Sequence, residues 1–150
     1  MIPRMQFKKE KKKMAILDAA EKIIAKRGMA GMTMGQVADA ADVATGTLYL
    51  YFKNKGSLLA AVNARLNREV NHYMQQKMSL HQAGSEKVRA MGQATVEFFM
   101  GNPQKWKAVT ELYQMKFQDP QDPHVQDFLE VTDEMVQMMA NGYRQGIKDG

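Results

Sequence analysis

The chain contains no cysteine, which removes disulfide frameworks and thiolate metal sites and fits a reducing, cytoplasmic setting. It has only 4 prolines and one tryptophan, and no apolar run nears the roughly 20 residues that a bilayer-spanning helix needs. No membrane partner is expected. Its first residues, Met1-Ile2-Pro3-Arg4-Met5-Gln6-Phe7-Lys8, lack the apolar core of a secretory signal. Apolar-polar alternation of useful length is missing as well, so strands are not expected, and no internal repeat appears. What remains is 150 residues, 45% of them apolar, with 14 methionines and a formal charge of +5. That length suits one compact domain or two small ones in tandem, able to hide roughly 68–70% of the unfolded surface without staples.

The charge is unevenly placed. Residues 1–62 carry 11 Lys/Arg against 5 Asp/Glu, net +6, and residues 63–150 carry 10 against 11, net −1. Lys8, Lys9, Lys11, Lys12 and Lys13 are the densest part, a pattern that suits phosphate groups or simply a solvated helix start.

Periodicity predicts helices throughout. Ile16, Leu17, Ala20, Ile23 and Ile24 share one stripe of a helix from about Lys9 to Arg27, ended by Gly28. Thr33 can cap a short helix from Met34 to Ala40, and Asp42 falls where a tight turn calls for positive φ. A third helix fits Ala44 to Tyr51, with Val43, Leu48 and Phe52 inward and Thr45, Gly46, Thr47 and Tyr49 outward. After a break at residues 53–56, a long helix is expected from about Ser57 to Met78. Ser85, Asn102 with Pro103, and Asp122 with Pro123 are the expected starts of three more. The second of these should hold Trp106, Val109, Tyr113 and Phe117; the third should carry an inner stripe from Val125 through Gly142 and Tyr143.

Two short helices joined by a tight turn, behind a basic first helix, suit a helix-turn-helix DNA reader. Thr45, Gly46 and Thr47 would let the third helix's backbone approach base edges in a major groove about 12 Å wide. Tyr49, Tyr51 and Lys55 have the reach and the donors for phosphate oxygens, and Lys55 also stands near the positive end of the fourth helix. The run Ile16-Leu17-Asp18-Ala19-Ala20 to Gly28, then Thr33-Met34-Gly35-Gln36-Val37-Ala38, then Val43 to Lys55 resembles the DNA-binding domain of the TetR family of bacterial transcriptional repressors. Gly46-Thr47-Leu48-Tyr49-x-Tyr51-Phe52-x-x-Lys55 is its most diagnostic segment. The resemblance implies base contacts from Gly35, Thr45, Gly46 and Thr47 and phosphate contacts from Thr33, Tyr49, Tyr51 and Lys55. Asp42, where the family usually has Gly, Gly56, where it often has an acid, and Gly35, where many members carry a larger polar residue, depart from the pattern.

The reading is therefore all-α: a helix-turn-helix domain over residues 1–56 and a helical ligand-binding and dimerisation domain over residues 57–150. By resemblance the second domain lacks the last two helices through which members usually dimerise, so it is expected to be truncated, to dimerise by another surface or to be monomeric. Phe99, Trp106, Tyr113 and Phe117, with Met135, Met138 and Met139, offer adaptable apolar surface for a small hydrophobic ligand or are simply core. Trp106 and Tyr113 are the preferred lining residues, each apolar with one polar handle. His72, His81 and His124 lack metal-ligand spacing and read as surface residues, and the acids between Asp119 and Glu134 as a solvated helix start. No catalytic or cofactor constellation stands out, so an enzyme is not expected. The function expected is a repressor that binds a palindromic operator as a homodimer and is released by a ligand. The alternative is a shortened module that pairs with a homologue or another protein.

Overall fold

A computed structural model describes residues 1–150 as seven α-helices without strands: α1 Arg4–Arg27, α2 Met34–Ala40, α3 Thr45–Tyr51, α4 Lys55–Met78, α5 Gly84–Gly101, α6 Pro103–Leu112 and α7 Pro123–Asp149. None is long and apolar enough to cross a membrane.

Helix α1 begins at Arg4, earlier than the expected Lys9, because nothing between Pro3 and the first buried position interrupts helix-favouring residues. Its first turns, with Lys8 to Lys12, are exposed, and burial starts at Ile16. Gly28, at φ 76°, ends it as expected. Thr33 Oγ1 accepts from the Gln36 N–H at 3.2 Å while the Gln36 side chain accepts from the Thr33 N–H at 3.0 Å, a reciprocal cap that starts α2. Asp42, at φ 54°, is the one non-glycine residue with positive φ, and it turns the chain into α3.

The buried faces of α1, α2 and α3 close on Leu48 and Phe52, both fully buried, and on Leu58, Val62 and Leu66 of α4. Ala108 and Leu112 of α6 join the same core, so packing crosses the chain position at residue 56. Ion pairs reinforce this union: Arg65 of α4 reaches Asp18 and Glu21 of α1, each at 2.6 Å, and Lys105 of α6 reaches Glu21 at 3.1 Å and Glu69 at 2.7 Å. Helix α4, 24 residues and so about 36 Å long, then carries the chain to a second, smaller core of Val70 and Met74 with Met91 and Ala94 of α5. Tyr73, Phe98, Phe99, Met135 and Met138 are only half buried around it. Buried Asn71 donates to the Val131 carbonyl at 3.1 Å, tying α4 to α7.

Several expected starts move. Asn54 caps α4 by accepting from the Ser57 N–H at 2.8 Å, so the helix opens at Lys55 and the supposed break is its cap. Helix α3 opens at Thr45 behind Ala44. Ser85 does not cap α5; the Gly84 N–H is taken by the Asp149 carboxylate of α7 at 2.7 Å. Asn102 precedes α6 without a side-chain cap, its amide donating back to the Phe98 carbonyl at 2.7 Å. Helix α6 stops at Leu112, leaving Tyr113 as its cap and Phe117 in the following loop.

Candidate nucleic-acid interface

The short helix α3 is held from below and bare above. Leu48 is fully buried, Val43 packs against the same core, and Thr45 and Gly46 are exposed while Thr47 is half buried. A Cβ placed on Gly46 or on Gly35 would meet nothing within 4 Å, so the space over both residues is open to an approaching surface. These four positions are the ones expected at base edges, and three of them share the first turn of α3.

The residues expected at phosphates differ in how free they are. Thr33 is exposed at the start of α2, and the Lys55 ammonium donates to the Met32 carbonyl at 2.6 Å, which carries it across to that same helix start. Tyr49 is 46% exposed. Tyr51 is half buried against the core, its ring centroid 6.5 Å from that of Phe52. Leu50, beside Tyr49, is 86% exposed.

The end of α3 is gripped by the start of α7. His124 bonds the Tyr51 carbonyl through Nε2 at 3.1 Å and stacks on Phe52 at 4.7 Å, so it is a half-buried joint and not the surface residue expected. Of the acids from Asp119 to Glu134, Glu130, Asp133 and Glu134 are exposed as expected, but Asp122 is not. Asp122 is buried, and its Oδ1 accepts from the His124 N–H at 2.8 Å, the Val125 N–H at 3.4 Å and the Ser57 hydroxyl at 3.2 Å. Lys53, between α3 and α4, pairs with Asp119 at 2.5 Å and with Asp122 at 3.3 Å. Burial pushes the Asp122 carboxyl up, but the His124 amide, Ser57 and Lys53 together outweigh it and hold the group below its ordinary range. The hydrogen bond from Lys53 also lowers Asp119. Spacing had identified Asp122 as a cap; its reach of 65 residues back to Ser57 has no local sequence signal.

Of the residues expected to line a ligand chamber, Phe99, Met135 and Met138 meet around the second core, and Tyr113, Phe117 and Met139 do not join them. Phe99 meets Trp106 edge-on at 5.3 Å, but Trp106 is 52% exposed and Tyr113 88% exposed. Met135 and Met138 flank the small second core, Met139 faces outward, and Phe117 packs on Phe128 at 5.0 Å, elsewhere. The reason is local: α6 ends a turn earlier than periodicity suggested, so Tyr113 and Phe117 leave its inner face.

Residues 16–62 match the family model for bacterial regulatory proteins of the tetR family. Over 54 residues the chain is 44% identical to the fatty acid metabolism regulator protein of Bacillus subtilis, covering 36% of this chain and 28% of that one. The match spans about a quarter to a third of the length of the curated relatives. A TetR family transcription regulator from Marinobacter aquaeolei superposes with a TM-score of 0.78 at 20% identity, over 97% of this chain and 73% of that one. A tetR family regulator from Shewanella sp. PV-4 gives 0.75 at 28% identity, over 93% and 71%.

Proposed function

We propose that the chain, whose residues 16–62 match the tetR family model, is a TetR-family transcriptional repressor that binds a palindromic operator as a homodimer and releases it on binding a small hydrophobic molecule. The observation that carries this reading is the uncovered first turn of α3, where Thr45 and Gly46 are exposed over the buried anchor Leu48. In this reading Thr45, Gly46, Thr47 and Gly35 meet base edges, and Thr33, Tyr49, Tyr51 and Lys55 meet phosphates. The exposed lysines at the start of α1 add sequence-independent attraction. Residues 1–56 are the reader and residues 57–150 the regulatory half, a division of roles, since the core is shared.

Ligand response is supported by the loose second core, where large half-buried side chains such as Tyr73, Phe98 and Phe99 surround few buried ones. A ligand that favours a different setting of α4 and α7 would shift the readers out of register, and a coupling of ~1–3 kcal/mol weakens DNA binding by 5–150-fold. Selection of bound duplexes from a random pool tests the reading. An inverted repeat with fixed half-site spacing is expected; a pool that fails to enrich any sequence contradicts it.

A further inference from the structure

A half-enclosed cleft of about 460 Å³ lies where the head meets the regulatory half. Its walls are the α1–α2 turn at Met29 and Ala30, the first turn of α4, the segment 115–119 and the start of α7. Met29, Leu59, Met115, Phe117 and Val125 give it an apolar floor. None of the half-buried residues of the second core lines it, so it is separate from the loose region between α4, α5 and α7. Its two aspartates, Asp119 and Asp122, are already paired with Lys53. Lys55 spends its ammonium on a neutral carbonyl, and Lys116 at the rim makes no ion pair. With both aspartates turned to Lys53, Lys55 and Lys116 are the lining cations without a carboxylate partner.

We propose that this junction cleft binds a small molecule with an apolar body and a single anionic head, held by the head and the regulatory half together. The size is that of a small-molecule site, and the lining divides between an apolar floor and a larger set of polar and charged groups, which suits an occupant with one apolar and one polar end. Because its walls come from both sides of the Lys53–Asp119 and Ser57–Asp122 contacts, an occupant stabilises their docked arrangement and raises the unfolding temperature. The inference does not depend on the chain's reading DNA.

The test is a fluorescence titration of the full chain with 1-anilinonaphthalene-8-sulfonate, an aromatic body with one sulfonate. Ala30→Trp places a large ring at an exposed wall position and is expected to weaken binding at least about tenfold and to abolish the probe's thermal stabilisation, since the space is then filled. Tyr143→Ser with Ile147→Ser removes exposed apolar side chains of α7 and is expected to change nothing. Lys116→Glu, at an exposed position that a fold tolerates, should weaken the sulfonate several-fold and leave uncharged N-phenyl-1-naphthylamine unaffected. Undiminished binding in Ala30→Trp, or loss of binding in the α7 variant, overturns the site. Equal loss of both probes in Lys116→Glu, or of neither, overturns the anionic head.

Discussion

The Lys55 ammonium donates to the Met32 carbonyl at 2.6 Å, and Met32 immediately precedes Thr33, the cap of α2. The first turn of α4 and the entry to α2 therefore hold each other. Lys55→Ala is expected to cost about 1 kcal/mol of stability through the lost hydrogen bond. It should also make the dependence of log K on log salt shallower by roughly one unit, as one phosphate contact disappears. Urea unfolding and anisotropy titrations at several salt concentrations separate the two effects. A weaker affinity with an unchanged salt slope would assign Lys55 a structural role alone.

Asp122 is the one buried acid of the chain. Asp122→Ala uncaps α7 and leaves the buried Ser57 hydroxyl without its acceptor, a combined loss of about 2–4 kcal/mol. Asp119→Ala, at an exposed pair, should cost far less. Since the folded state holds the Asp122 carboxyl below its ordinary value, its contribution is complete above about pH 4 and is lost as the pH falls through the depressed folded value. Urea midpoints at neutral pH and at about pH 3 should fall further for the wild type than for Asp122→Ala.

Gly84 and Gly146 mark the closest approach of α5 and α7. A Cβ on Gly84 would lie 2.1 Å from the Gly146 nitrogen, so Gly84→Ala forces the helices apart and should cost about 1–3 kcal/mol. Gly92→Ala, in the same helix with nothing within 4 Å, should instead stabilise by up to about 1 kcal/mol. Thermal unfolding of the pair provides the check, and equal shifts in the same direction would contradict the close crossing.

Local signals in the sequence were strong where the chain itself supplies the partner. The Thr33 cap, the positive φ at Asp42, Gly28 as a stop and Pro123 behind Asp122 each depend on residues a few positions apart, and each is found in the fold. The exposed faces of Thr45 and Gly46 followed from the burial of Leu48 three and two residues away. What periodicity could not show were bonds across long separations: His124 on Tyr51, Asp122 on Ser57, Asp149 on Gly84. The apolar residues beyond Gly101 were legible as apolar but not as neighbours. Whether Tyr113 points inward depends on where α6 ends, and that is decided by tertiary packing around Leu112.

The claim that α3 reads DNA with its backbone close to the bases is tested most directly at Gly46. That residue is exposed and a Cβ there meets nothing within 4 Å, so Gly46→Leu leaves the fold intact and even gains helix propensity of up to about 1 kcal/mol. The added side chain nevertheless stands between the helix and the groove. Anisotropy titration with an enriched duplex should show specific affinity reduced by roughly 100-fold or more, with an unfolding temperature equal to or above that of the wild type. Undiminished specific binding by Gly46→Leu would contradict the account.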